Sequence, residues 1–131
     1  MTTVGGRIKY YRLLNGLKQK DIYDKIGIDK STYIHYESRS TISFNLEICK
    51  KICEALGIDP VLVYDDYMAF IVSDYGTTIR VFRKIQKLTH KKFGTLIGMH
   101  PKISARWEKR KSIPSRASYI RMIELFMKYE H

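Results

Sequence analysis

Apolar side chains recur every three or four positions along most of this 131-residue chain, the period of a helix with one buried stripe. The pattern predicts an all-α fold with helices over 6–15, 19–26, 30–38, 45–56, 60–72, 77–87, 90–97, 101–109 and 116–129. The breaks carry their own signals. Gly27 and Gly98 stand where a helix must stop abruptly, because only a residue without Cβ takes the left-handed conformation cheaply. Ile28 and Met99 follow, placed to plug each corner from inside. Asp29 is a cap for the next helix, and Pro101 fits a first turn, where a missing N–H costs nothing. Thr89 is a good N-cap, whereas Lys18 at the matching place is not.

The helices come in two sets. Sliding the chain by 71 residues pairs Ile8 with Ile79, Arg12 with Arg83, Leu17 with Leu88, Lys20 with Lys91, and Ile26-Gly27 with Ile97-Gly98. It also pairs Glu37 with Glu108, Arg39 with Arg110 and Ile42 with Ile113, while Tyr11 meets Phe82 and Tyr36 meets Trp107. Past the first copy's loop, one residue longer, the shift becomes 70: Cys49, Ile52, Cys53 and Leu56 meet Tyr119, Met122, Ile123 and Phe126. Repetition of this kind divides the chain into units over 1–64 and 75–131 with a connector over 65–74. Units of about 60 residues bury only ~60% of their unfolded surface and stay marginal. The connecting stretch DPVLVYDDYMAFIVSDYG is too apolar for a loose tether. With Asp59 as cap and Pro60 in the first turn, it reads as one helix over 60–72 that closes the first unit and rests against the second, whose chain stops after its fourth helix. A flexible hinge is the alternative.

Charge separates the two sets. The 24 Lys and Arg against 13 Asp and Glu give +11. Residues 1–73 hold 10 basic and 9 acidic residues, and residues 74–131 hold 14 and 4, so the surplus is +1 in one part and +10 in the other. A surplus of that size points to a polyanionic partner for the second part, most simply nucleic acid, whose neutralised phosphates release counterions; a merely soluble basic surface is the alternative. Cys49 and Cys53 share one helix face with Ile52 and Leu56 and read as packing, since a closed zinc site needs four ligands. No apolar run reaches the ~18 residues of a membrane span. The start, MTTVGGRIKYYRL, lacks a signal peptide's apolar centre, so a cytoplasmic chain is expected, associated with the nucleoid when bound.

The stretches IKYYRLLNGLKQKDIYDKIGIDKSTYIHYE and IRVFRKIQKLTHKKFGTLIGMHPKISARWEKRKSIPSR resemble the Cro and lambda-repressor-like helix-turn-helix domains, also called the XRE family, in two tandem copies. The resemblance implies that the third helix of each copy lies in the major groove of double-stranded DNA while the start of the second meets phosphate. Carried over by position, the base-facing residues are Lys30, Ser31, Ile34 and His35 in the first copy, and Lys102, Ala105 and Arg106, beside Pro101, in the second. Phosphate-facing residues are Gln19 and Lys20, then His90 and Lys91, with Lys109, Arg110 and Lys111 holding the backbone further along. Arg12 with Glu37, and Arg83 with Glu108, are implied to be internal ion pairs that fix the third helix. Lys18, Arg39 and Phe44 depart from the family's usual Ser or Thr, Gly and Pro, which weakens the first copy's case for the groove. Arg106 is able to give guanine a bidentate pair and Lys102 to approach the same acceptors, whereas Ile34 can only touch a thymine methyl. The second unit is therefore expected to dominate.

The expected function is that of a bacterial or phage-like, repressor-like regulator of transcription, with no cofactor. The rival class is a protein-interaction module, such as an antitoxin or anti-repressor, whose first unit grips a partner through an exposed surface around Tyr33, Ile34 and Tyr36. Homodimers and a built-in pair are both compatible with palindromic or repeated sites. Ten tyrosines and Trp107 raise the thought of stacking on single-stranded bases. Yet Tyr11, Tyr36, Trp107 and Tyr119 fall on the repeat's apolar positions. His35, His90, His100 and His131 show no ligand spacing, and no phosphate-cradling loop or nucleophile elbow supports an enzyme.

Overall fold

The computed structural model describes residues 3–38 and 45–129. Within them the chain is all-helical: α1 Val4–Leu14, α2 Gln19–Ile26, α3 Lys30–Ser38, α4 Leu46–Leu56, a 3-10 turn Pro60–Leu62, α5 Asp66–Val72, α6 Tyr75–Ile85, α7 His90–Ile97, α8 Pro101–Glu108 and α9 Arg116–Lys128. Arg39, Ile42, Phe44 and the first copy's extra loop residue lie outside the described residues, as does His131. The chain divides into two compact units, Met1–Met68 and Ala69–His131, the division falling inside α5.

In the first unit Ile8, Ile22, Tyr33, Ile52 and Val63 are fully enclosed, with Cys49 and Cys53 among them. Both cysteines are free thiols; a hydrogen bond to Cys53, together with burial, pushes the Cys49 thiol up, and the pair serves as packing. In the second unit Trp107, Phe93, Ile79, Ile97 and Met122 form the centre. Trp107 is thus a core residue. Tyr11 and Tyr36 pack against the first core, and the Tyr119 ring lies 5.1 Å from that of Phe70.

Helices α1 and α6 begin two residues before the positions expected from Gly6 and Thr77. Thr3 accepts from the Gly6 amide at 2.9 Å, and Asp74, at the matching place, accepts from the Thr77 amide at 3.3 Å. The glycines that look like breakers at 5 and 76 are helical for another reason. A Cβ on Gly5 would strike the carbonyl oxygens of Tyr36 and Glu37, and one on Gly76 would strike that of Glu108. Each glycine lets the first helix of its unit lie against the end of the third.

The single helix expected over 60–72 is broken. Asp59 accepts from the Val61 amide at 3.0 Å and starts the 3-10 turn. Arg7 Nη1 then donates to the carbonyls of Val63 at 3.4 Å and Tyr64 at 2.6 Å. Those carbonyls face a side chain on α1, and Val63 is enclosed in the core. Asp65 accepts from the Met68 amide at 2.9 Å and caps a fresh helix, α5.

Candidate nucleic-acid interface

Two sharp corners organise the two units in the same way. Gly27 ends α2 with φ 76°, and Gly98 ends α7 with φ 72°, both left-handed. In the second unit the corner is drawn tight: a Cβ on Gly94 would press on the Met99 carbonyl, and Arg121 Nη1 donates to the last carbonyl region of α7 at Ile97, 3.3 Å away. Thr89 caps α7 by accepting from the Lys92 amide at 3.1 Å, and His100 Nδ1 caps α8 by accepting from the Lys102 amide at 3.1 Å. Pro101 occupies the first turn of α8.

Helix α8 then presents two faces. Ser104 and Trp107 are buried, with Ile103 packed on the core. Lys102 and Arg106, four residues apart and therefore on one side of the helix, are exposed, and Ala105 between them is half-buried. Arg106 Nη2 donates to the Lys111 carbonyl at 3.2 Å, which gives the guanidinium an anchor near its base. Lys109, Arg110 and Lys111 are exposed in the loop that follows. Arg110 adopts φ 57°, a left-handed conformation uncommon outside glycine, and its guanidinium lies 5.9 Å from the Tyr75 ring centre. At the start of α7, Lys91 and Lys92 are exposed, while His90 is half-buried with Nδ1 3.1 Å from Ser104 Oγ.

Beneath each third helix sits the same ion pair. Arg12 Nε donates to Glu37 Oε2 at 2.7 Å and Nη2 to Oε1 at 3.1 Å, while Nη1 donates to the Leu17 carbonyl at 2.8 Å. Arg83 repeats all three contacts with Glu108 and Leu88, at 2.7, 3.1 and 3.0 Å. Burial alone would push the Glu37 carboxyl up, but the hydrogen bonds it accepts, Arg12 foremost, hold it below the usual carboxylate range. The guanidiniums of Arg12 and Arg83 are held charged by these carboxylates.

The corresponding surface of the first unit has other chemistry. Lys30, Ser31 and His35 are exposed and Ile34 is half-buried. Asp29, which the register matches to His100, accepts from the Ser31 hydroxyl at 2.6 Å and from the Thr32 hydroxyl at 2.6 Å. Those hydrogen bonds hold its carboxyl down at about 2, so it is an anion at the head of α3. At the head of α2 the Lys18 side chain makes no cap; the Asp21 carboxylate accepts from the Lys18 amide at 2.7 Å instead. Lys20 is exposed, and the Gln19 amide turns inward to donate to Glu37 Oε1 at 3.2 Å. Tyr33 is fully buried, which corrects its assignment to an exposed surface. Its ring faces inward between α2 and α3, leaving Ile34 and Tyr36 half-buried around it.

Sequence reading did not mark Lys92, Asp21 or Arg121. The first two were within reach, because the 71-residue register sets THKK over 89–92 against KQKD over 18–21 and so pairs Lys92 with Asp21. Among the described residues no helix is long and apolar enough to cross a membrane.

The chain belongs to the helix-turn-helix family: the helix-turn-helix profile matches residues 8–63, within the first unit, where α2 and α3 are set around the left-handed Gly27. An uncharacterized HTH-type transcriptional regulator of Methanocaldococcus jannaschii is similar to it, with 32% identity over 62 residues, which is 46% of this chain and 92% of that protein. No solved structure matches the chain.

Proposed function

We propose that this chain is a double-stranded-DNA-binding regulator of transcription, repressor-like in acting by occupying its site, and that the second unit supplies most of the affinity by placing α8 in the major groove. The observation that carries this reading is the outer face of α8. Lys102 and Arg106 are exposed over a buried Ser104 and Trp107, and Lys91 and Lys92 at the start of α7 and Lys109 and Lys111 in the loop after α8 are exposed as well. An α-helix fits the major groove, and a guanidinium gives guanine two parallel hydrogen bonds. In the first unit the equivalent positions include the ionised Asp29, which opposes a phosphate backbone, and Asp21, whose side chain is engaged with the Lys18 amide. Family membership and the name of the archaeal relative support the same class.

Selection of bound duplexes from random DNA tests the proposal. Arg106→Ala should relax preference at one base position at a cost of about 1–3 kcal/mol of discrimination. Absence of any enriched sequence sinks the reading. A second reading, in which the first unit grips a protein, is favoured by the carboxylates at the heads of α2 and α3. In that case a partner should slow hydrogen exchange at Ile34 and Tyr36, whereas Tyr33 is already enclosed.

A further inference from the structure

The two units share an Arg–Glu pair and differ beside it, where Gln19 and Tyr33 of the first stand at the register of His90 and Ser104 in the second. Gln19 and His90 occupy the same register at the first position of α2 and α7. Each side chain turns toward the carboxylate of its unit's ion pair: Gln19 Nε2 donates to Glu37 Oε1 at 3.2 Å, and His90 Nδ1 lies 3.4 Å from Glu108 Oε2. An amide donates at any ordinary pH. An imidazole has two ring nitrogens whose protons depend on pH, and it is the side chain whose charge changes most readily near neutrality.

The packing around His90 gives the second proton a defined effect. Ser104 Oγ, on α8 and fully buried, sits 3.1 Å from Nδ1. In the neutral Nε2–H tautomer the serine hydroxyl donates to Nδ1; in the neutral Nδ1–H tautomer the N–H donates to the serine oxygen and Nε2 can only accept. The doubly protonated ring alone keeps an N–H on both nitrogens at once and adds a positive charge facing Glu108. The charged groups around it are Glu108 from α8 and Arg83 from α6 through its bond to Glu108, with the exposed Lys91 and Lys92 next to it in sequence on α7. The side chain is 36% exposed, and with Nδ1 turned to Ser104 and Glu108 we assign the open edge of the ring to Nε2.

We propose that His90 is a proton-operated positioning residue: carrying two protons, it locks α7 to α8 through Ser104 and Glu108 and presents Nε2–H as a cationic donor to backbone phosphate. This rests on the DNA-binding reading of the second unit and adds a control to it. The sign follows from charge. Binding a polyanion favours the doubly protonated ring, so affinity rises as pH falls. The first unit, with Gln19, has no such control.

The test is binding of a selected duplex by fluorescence anisotropy from about pH 5.5 to about 8.5 at fixed ionic strength, the range in which imidazoles titrate. The intact chain carries His35→Gln, His100→Asn and His131→Gln, the asparagine keeping an acceptor at the α8 cap. A charge-assisted hydrogen bond to phosphate should make binding about tenfold tighter at the acid end. Adding His90→Gln, the first unit's own solution, should flatten the profile; an equal slope in both proteins overturns the proposal. Should that variant melt early, nuclear magnetic resonance of the wild-type ring gives a second readout: DNA must move the His90 titration to higher pH, and no movement overturns it. Enriched DNA bound with no His90-dependent slope defeats the switch alone, whereas no sequence-specific binding at any pH defeats the reading beneath it.

Discussion

Glu37 is only 3% exposed along its side chain, a position that would ordinarily leave a carboxyl neutral. Arg12 reverses that by a two-point guanidinium fork, and the net direction is downward. A carboxyl whose folded value lies below its unfolded one adds stability above the unfolded value, about 4.3 for Glu, and loses it as pH falls through the folded one. Glu37→Gln should therefore cost about 3–5 kcal/mol near neutrality, because Arg12 is left buried without its counter-charge, and the variant's acid limb should be flatter than wild type. Urea melts at several pH values check both points. A loss below 1 kcal/mol would mean that water reaches the pair. At this scale the caps Thr89, Asp29 and Asp59 were legible, because a short acceptor two or three residues before an amide needs only local geometry. The approach of His90 to Ser104 and Glu108 was not, because it depends on how α7 rotates against α8.

At the scale of elements, the least tolerant contact is where the first helix of each unit crosses the end of the third. Gly76 and Gly5 share the register, and in both units the atoms a Cβ would strike are backbone carbonyls, which cannot swing aside as a side-chain end would. Gly76→Ala should destabilise the second unit by about 1–3 kcal/mol, the usual cost of overpacking, although alanine favours helix elsewhere. The check is a thermal or urea melt of the whole chain; a neutral or stabilising result would show that α6 is free to back away from α8. The repeat held this information, since the same glycine recurs at the same place, but glycine inside a helix reads first as a breaker. The break between the 3-10 turn and α5 was half legible: Asp65-Asp66 interrupts the apolar run and Asp65 caps the new helix, but the side chain that takes the Val63 and Tyr64 carbonyls is Arg7, 56 and 57 residues away.

Over the whole molecule the charge of +11 divides as +1 before residue 74 and +10 from there on, and part of the difference falls at the positions proposed to meet DNA. Lys20 has Asp21 beside it and Lys30 has Asp29, the latter ionised down to about 2. Lys91 stands instead between His90 and Lys92, and Lys109 follows the paired Glu108 and precedes Arg110, which lies 3.9 Å from Asp74, and Lys111. Each phosphate contact contributes about 0.9 to the slope of log affinity against log salt, so the slope counts contacts without knowledge of the base sequence. If the second unit dominates, Lys91→Ala and Lys109→Ala should each reduce that slope by about 1, and Lys20→Ala and Lys30→Ala should leave it unchanged. Titrations of one duplex at four or five salt concentrations decide the matter. Equal reductions from all four variants would mean that both units lie on the backbone together and that the first unit's carboxylates face away from it. Reductions from Lys20 and Lys30 alone would reverse the assignment of the dominant unit.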